Sequence, residues 1–534
     1  MAGLLCEAKS RSRNKFRIRF VQNLDMLCIA VLIREGRINV PSFSPTTSLN
    51  MLPVAERDHS SNVFIHGSTI NSAQRDFHIH NSDSESGVHN FRSVQTSILI
   101  YSHNEGLRDL KLGVSLGAIH DSAERYPPPK CHPDTRKAVR QIILDWIHAE
   151  SSVSSFFWLY GPAGAGKSAI LQAIAEFICN PSRSGPNFGG SFFFSRGKKG
   201  RDQGHFMFST IAYQLALKVP GLRQHVNRIM GTDPTLHTKS MDVQLQTLIV
   251  DAFQYLSSPP QCSYLVIIDG LDECHDKATQ QTILRLLCET IRIHKLPLRF
   301  LIGSRPESHI RECFDQESLY TVTRRVVLDE TFDPERDIRV FLQDGFAKIC
   351  VKNPILSHVK QPWPEEGIID LLVQRSSGQF VYAATVLKFV GADFCSPTKQ
   401  LMLAMKRDPT AFSDLDQLYT QILSVYPSAV NIVHVLGIIS ASHGDLAEVI
   451  EDIFGMEEGE LELVIRGLSS LFNDEILNGK WEKYVIPYFT HASFYDYLFD
   501  SSRSGPFHVN RPEYENQVTI RSFALIMQSI RSWR

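Results

Sequence analysis

No Cys-x-x-Cys pair, no excess of one charge and no apolar run of membrane-spanning length occurs in this 534-residue chain. Each absence removes a class of protein. The ten cysteines, scattered from Cys6 to Cys395, form neither a disulfide framework nor a zinc-ligand spacing, which fits reduced thiols in a cytoplasmic protein. A formal net charge of -2 gives neither nucleic acid nor an anionic membrane an electrostatic reason to be the main partner. The longest apolar run near the N-terminus, residues 26–33, is far too short to span a bilayer, and it lacks the cleavage site of a secretory signal. What remains is an ordinary globular composition, 43% hydrophobic and 21% charged, long enough for about two to four domains.

The first hundred residues carry little chemistry. Lys9, Arg11, Arg13, Lys15, Arg17 and Arg19 occupy every second position, which suits a solvated basic tail, a targeting presequence or an arm for an anionic partner. His78 and His80 would share one face of a strand, but no Cys or carboxylate cluster accompanies them at ligand spacing. Residues 1–104 are expected to be a poorly ordered leader with short β-like segments. Leu107, Leu110, Val114 and Ile119 then recur at helical spacing and predict a helix over 105–125. "YPPPKCHPD" (126–134) breaks the chain before the main domain.

The chemistry begins at 156. "FFWLYG" is a short apolar run suited to a buried parallel strand. It leads into Gly161, Pro162, Ala163, Gly164, Ala165, Gly166, Lys167 and Ser168, followed by the helix-forming "AILQAIAEFI". Glycines let successive N–H groups curl around a phosphate, and the helix starting at Lys167 turns its positive end to the same anion. Lys167 can reach the β- and γ-phosphates, and Ser168 can ligate Mg²⁺. "SYLVIIDGLDEC" (263–274) is a second strand, apolar throughout and ending in acids. Asp269 at its C-terminal end is the candidate for holding the Mg²⁺ water shell. The next residue is Gly270, where strand-inserted P-loop ATPases often place a catalytic Glu. Here the acids are displaced to Asp272 and Glu273, which predicts slow hydrolysis. "LRFLIGSRP" (298–306) is a third strand, and Arg305 at its end could sense a γ-phosphate or pair with Glu307. Runs at 189–197 and 321–329 complete about five strands, alternating with helical stretches. The fold class expected is α/β, a parallel P-loop NTPase sheet covered by helices.

"GPAGAGKS", "VIIDGLDEC" and "LIGSRP", in this order, resemble the NACHT nucleotide-binding domain of the STAND signalling ATPases, a class that includes the NLR receptors. The wording around them is similar to nephrocystin-like NACHT proteins of mushroom-forming fungi. The resemblance spans about 125–500. It implies Gly161–Ser168 as Walker A, Asp269 with Asp272 and Glu273 as Walker B, and Arg305 as sensor. It also implies ATP or ADP with Mg²⁺ as cofactors, a helical domain and then a winged helix. Many relatives carry Gly-x-Pro where this chain has Gly378-Gln379-Phe380, so the proline's adenine contact has no counterpart in residue type. His491 is, by position, the winged-helix histidine that touches ADP in such proteins. The expected organisation is therefore an NTPase domain over 126–330, a helical domain over 331–430, a winged-helix-like domain over 431–500 and a helical remnant over 501–534. Acids from Asp445 to Glu462 give the winged helix the wrong sign for DNA.

Two functions compete at this stage. One is a signalling switch that ADP holds closed and ATP opens for self-association, with effector and sensor proteins unknown. The other is a turnover NTPase or nucleotide-dependent kinase acting on a separate substrate. A GTPase lacks its N-K-x-D motif here. No effector is recognisable in 1–125 and no period of 20–50 residues recurs. A sensing region is accordingly expected to be absent, supplied by another protein or lost to truncation.

Overall fold

The computed structural model describes residues 105–149, 154–180, 187–256, 262–392, 395–406, 413–425, 429–441, 459–472 and 491–532, with isolated positions between them and six short strands ahead. Those strands form two antiparallel sheets of three. Cys6–Lys9 pairs with Lys15–Ile18 and Ile38–Asn39, so part of the basic alternation lies on a hairpin. Ser68–Asn71 pairs with Asn62–Ile65 and with His78–His80, within a separate compact unit over 40–105. The rest of the expected leader lies outside the described residues.

From Gly106 the chain continues in the first unit. The helix predicted over 105–125 is shorter than its spacing suggests. It covers Glu105–Leu110 and gives way to 3₁₀ turns at Lys111–Gly113, Leu116–Ala118 and Ala123–Arg125. Gly113 and Gly117 interrupt the periodicity, and glycine is costly inside a helix.

The next region is the predicted parallel sheet. Its strands are β1 (Phe156–Tyr160), β2 (Asn187–Phe193), β3 (Tyr264–Asp269), β4 (Leu298–Ser304) and β5 (Thr323–Val327). They lie in the order β5-β1-β4-β3-β2, all parallel. Strand alternation sorts the apolar residues onto two faces. Phe156, Trp158, Val266, Ile268, Phe300 and Ile302 share a core with Phe208, Ile211 and Leu215 of the helix His205–Lys218. Phe157, Leu159, Leu265, Ile267 and Leu301 share the opposite core with Val139, Ile143 and Trp146 of α1 (Lys137–His148) and Ile170, Leu171 and Ile174 of α2 (Lys167–Ile178). Burial on both faces explains why these strands read as unbroken apolar runs.

Beyond the sheet the chain is helical. The helices α3 (Pro334–Lys352), α4 (Glu366–Ser376), α5 (Phe380–Val390) and α6 (Asp414–Ser424) share one continuous core with α7 (Ala429–Ala441), α8 (Glu460–Gly467) and α9 (Ala492–Leu498). Phe472 and Phe489 form an antiparallel bridge on either side of 473–488, which lie outside the described residues together with most of the predicted "YVIPYF" strand. Two hydroxyl pairs tie α9 to α6, Tyr419 to Ser493 and Thr420 to Tyr497, each at 2.8 Å. A long helix, α10 (Arg511–Ser532), follows.

Candidate functional site

Strand order builds the site. Because β4 lies between β1 and β3, the segments leaving these three strands meet at the carboxyl ends of the strands. That end is where open α/β sheets bind ligands. The loop after β1 turns into α2 with Gly164 at φ +75° and Gly166 at φ +92°. Both are left-handed values that favour glycine. At Gly164 a Cβ would also collide with Val381 of α5. The Val381 N–H in turn donates to the Gly164 carbonyl at 3.3 Å, so the helical region seats directly on the loop. Lys167 Nζ donates to the carbonyls of Gly161 and Pro162, each at 2.8 Å. Burial pushes this ammonium below its ordinary pKa, while Asp272 draws it back up.

Asp269 ends β3 and is buried, with Oδ1 lacking any hydrogen-bond partner. Burial pushes its carboxyl up; a hydrogen bond from Ser168 and the charge of Arg125 act against that. An orphaned carboxylate oxygen beside a serine hydroxyl fits a hard cation such as Mg²⁺. Among the described residues no cluster of three His, Cys, Asp or Glu could hold a metal alone. The fit is therefore to an ion that takes its other ligands from water and phosphate.

The displaced acids have separate surroundings. Asp272 is engaged by Arg305, which donates its backbone N–H to Oδ1 at 2.9 Å and brings Nε within 3.2 Å of Oδ2. Glu273 Oε2 accepts the Arg196 N–H at 3.1 Å. Burial, reinforced by Asp272, raises the Glu273 carboxyl to about 7.

Helix α9 closes the other side. His491 caps α9: its Nδ1 accepts from the Ser493 N–H at 3.1 Å and lies 2.7 Å from Ser493 Oγ. An accepting Nδ1 places the proton of the neutral ring on Nε2. Burial, with Arg305 and Lys167 nearby, pushes His491 down to about 3, so the ring stays neutral. Asp496, one turn on, accepts from Arg305 Nη1 and from Arg196 Nη1, each at 2.6 Å. Thr135, Lys167, Asp269, Arg305, Phe380 and His491 all line one cavity of about 500 Å³.

The structure thus brings Ala163, Gly164, Gly166, Lys167 and Ser168 of the predicted loop, with Asp269, Asp272, Glu273, Arg305 and His491, around a single cavity, while Gly161, Pro162 and Ala165 of the loop do not line it. Sequence reasoning missed Asp496, Arg196 and Arg136. Arg136 donates to the Ala165 carbonyl at 2.9 Å and lies 4.9 Å from the Phe380 ring. Phe380, noted only as a departure from Gly-x-Pro, reaches the cavity wall. The signal for Asp496 was available in "HASFYDYLFD", a lone acid within an otherwise buried helix.

Residues 139–305 match the family described as nephrocystin 3, N-terminal, a segment running from α1 to Arg305. A crystal structure of Cdc6p from Pyrobaculum aerophilum aligns with 77% of this chain and 100% of that chain, at 13% identity and a TM-score of 0.33. So low a score adds nothing on the site. No curated protein matches the chain. Sheet order, phosphate loop and family match together define a P-loop NTPase fold, and no helix among the described residues is long and apolar enough to cross a membrane.

Proposed function

We propose that this NACHT-like P-loop NTPase works as a nucleotide-operated switch, in which ADP holds the compact arrangement and ATP favours an open, self-associating one. The observation that carries this reading is the double engagement of Arg305. It stands at the end of the inserted strand β4, where a γ-phosphate could recruit it, and it is held by Asp496 of α9 at 2.6 Å. A guanidinium cannot serve both anions with the same donors. Nucleotide identity and the closure of α9 are then coupled through one side chain, which supplies the differential contact a switch requires. His491 supports the same reading, since a neutral ring with Nε2–H can donate to a phosphate oxygen of ADP.

Mg²⁺ on Ser168 and Asp269 would neutralise phosphate charge during hydrolysis. Lys167 would orient the β- and γ-phosphates. Glu273 is the better candidate for accepting the proton of attacking water, because Asp272 is committed to Arg305. A base must be ionised to act. Single-turnover hydrolysis is therefore expected to rise as pH increases through about 7 and to level off above it. In Glu273→Gln that limb disappears and the rate falls about 10²-fold or more. A pH profile unchanged by the substitution would remove Glu273 from the role.

The direct test is the nucleotide carried by the purified protein, released by denaturation and quantified by chromatography. ADP near one per chain, together with a gain in mass on exchange to ATP, supports the switch. An empty site with rapid, steady ATP turnover would overturn it in favour of a turnover NTPase or nucleotide-dependent kinase.

A further inference from the structure

Arg125 lies outside every motif of the sequence, at the end of the 3₁₀ turn Ala123–Arg125 that precedes the sheet. Ser122 Oγ fixes the start of this turn by accepting the Glu124 N–H at 3.2 Å. The Arg125 guanidinium lies 3.5 Å from the centroid of the Phe193 ring. Phe193 is the residue of β2 that pairs with Asp269 of β3, so the arginine stands at the Asp269 end of the site. Its side chain is 8% exposed, and Nη1 has no hydrogen-bond partner.

Asp269, Glu124 and Glu176 act on it through their charge, but none of them accepts a hydrogen bond from its Nη1. Arg201, itself 6% exposed, donates Nη1 to Glu124 at 3.3 Å and Nε to the Phe193 carbonyl at 3.3 Å. The adjacent acid is thereby engaged by the other arginine. Burial and the charge of Arg201 push Arg125 down to about 9, against the pull of Asp269. A buried cationic donor without an acceptor is costly unless a ligand supplies one. Arg125 lines the same cavity as Lys167 and Arg305.

We propose that Arg125 is an in-chain phosphate contact whose open Nη1 takes an oxygen of the terminal phosphate of a bound nucleoside triphosphate. The segment ahead of the sheet then reads the nucleotide state, in addition to β4 and α9. Its position above Asp269 selects the terminal phosphate, because the metal end of the site is where a third phosphate adds charge. This rests on the reading above that the cavity takes nucleotide.

The test measures affinities of wild type and Arg125→Ala for Mg·ADP and for a non-hydrolysable Mg·ATP analogue. Affinity for the analogue is expected to fall about tenfold or more while ADP stays within about twofold. An equal loss for both, or no loss, overturns the proposal, since a merely structural arginine would not discriminate by the third phosphate. Should Arg125→Ala fail to fold, Arg125→Gln keeps much of the side chain's length without its charge; unchanged discrimination there overturns the proposal equally. Wild-type protein that binds neither nucleotide overturns this proposal and the nucleotide reading together. Wild-type binding with an indiscriminate Arg125 variant sinks this one alone.

Discussion

Lys167→Ala is expected to lower affinity for ADP and ATP alike by about 10²- to 10⁴-fold. The structure gives the reason in the contacts of Lys167. Its ammonium donates to the Gly161 and Pro162 carbonyls at 2.8 Å, so it folds the loop onto itself. Those carbonyls must give way to phosphate oxygens when nucleotide enters. The exchange replaces neutral acceptors by anionic ones inside a buried site, where charge-assisted hydrogen bonds contribute about 1.5–3 kcal/mol each. Two such bonds correspond to the expected loss at about 1.4 kcal/mol per factor of ten. The left-handed Gly164 and Gly166 keep the loop's shape, so the variant should fold; calorimetric titration then reads binding alone. Unchanged affinity would sink the assignment of the loop.

Why the loop was legible from residues and the partners of Asp496 were not is a matter of locality. Gly161–Ser168, β1 and the start of α2 are contiguous, and their chemistry is dictated by neighbours a few positions away. The same holds for β3 and β4, whose burial on both faces turns them into apolar runs that end at Asp269 and Arg305. The edge strand β5 was visible too, though its half-buried residues make a weaker pattern. The helical stretch that follows β3 was legible too, and it forms Lys277–His294. The long-range partners follow no such rule. Arg305 meets Asp496 across 191 positions, and Arg196 meets it across 300. Nothing in the local pattern of either arginine names that carboxylate. Arg125 was hidden differently, since it closes the stretch predicted as a helix just before the prolines, where nothing in the local pattern points to a ligand. Apolar spacing over 105–124 predicts a helix because it ignores the glycines that turn the chain into 3₁₀ turns. Asp272 shows the remaining limit. Its proximity to Asp269 in sequence suggested water activation, whereas the fold gives its carboxylate to Arg305.

Asp496→Asn is expected to loosen the closed arrangement, speeding ADP release and promoting self-association without added ATP. Burial by itself would raise the Asp496 carboxyl, yet Arg305 and Arg196 hold it below its ordinary value. Stability from such a depressed carboxylate is present above its unfolded pKa and is lost only as pH falls through the lower, closed-state value. The latch is thus fully charged near neutrality, and pH does not release it there; a competing anion must. Partly buried pairs of this kind couple elements by about 1–3 kcal/mol, or about 5- to 150-fold in a two-state equilibrium. Neutralising Asp496 removes that bias and leaves Arg305 available to phosphate. A double-mutant cycle with Arg305→Ala, read as ADP dissociation rate, isolates the pair from either side chain's other contacts. Arg503→Ala serves as the control. Arg503 grips buried Asp416 at 2.7 and 3.1 Å within the helical core, so its loss is expected to lower thermal stability without freeing Arg305. If Asp496→Asn retained ADP as long as wild type while Arg503→Ala released it, closure would rest on the helical core, and Arg305 would be a sensor without a latch.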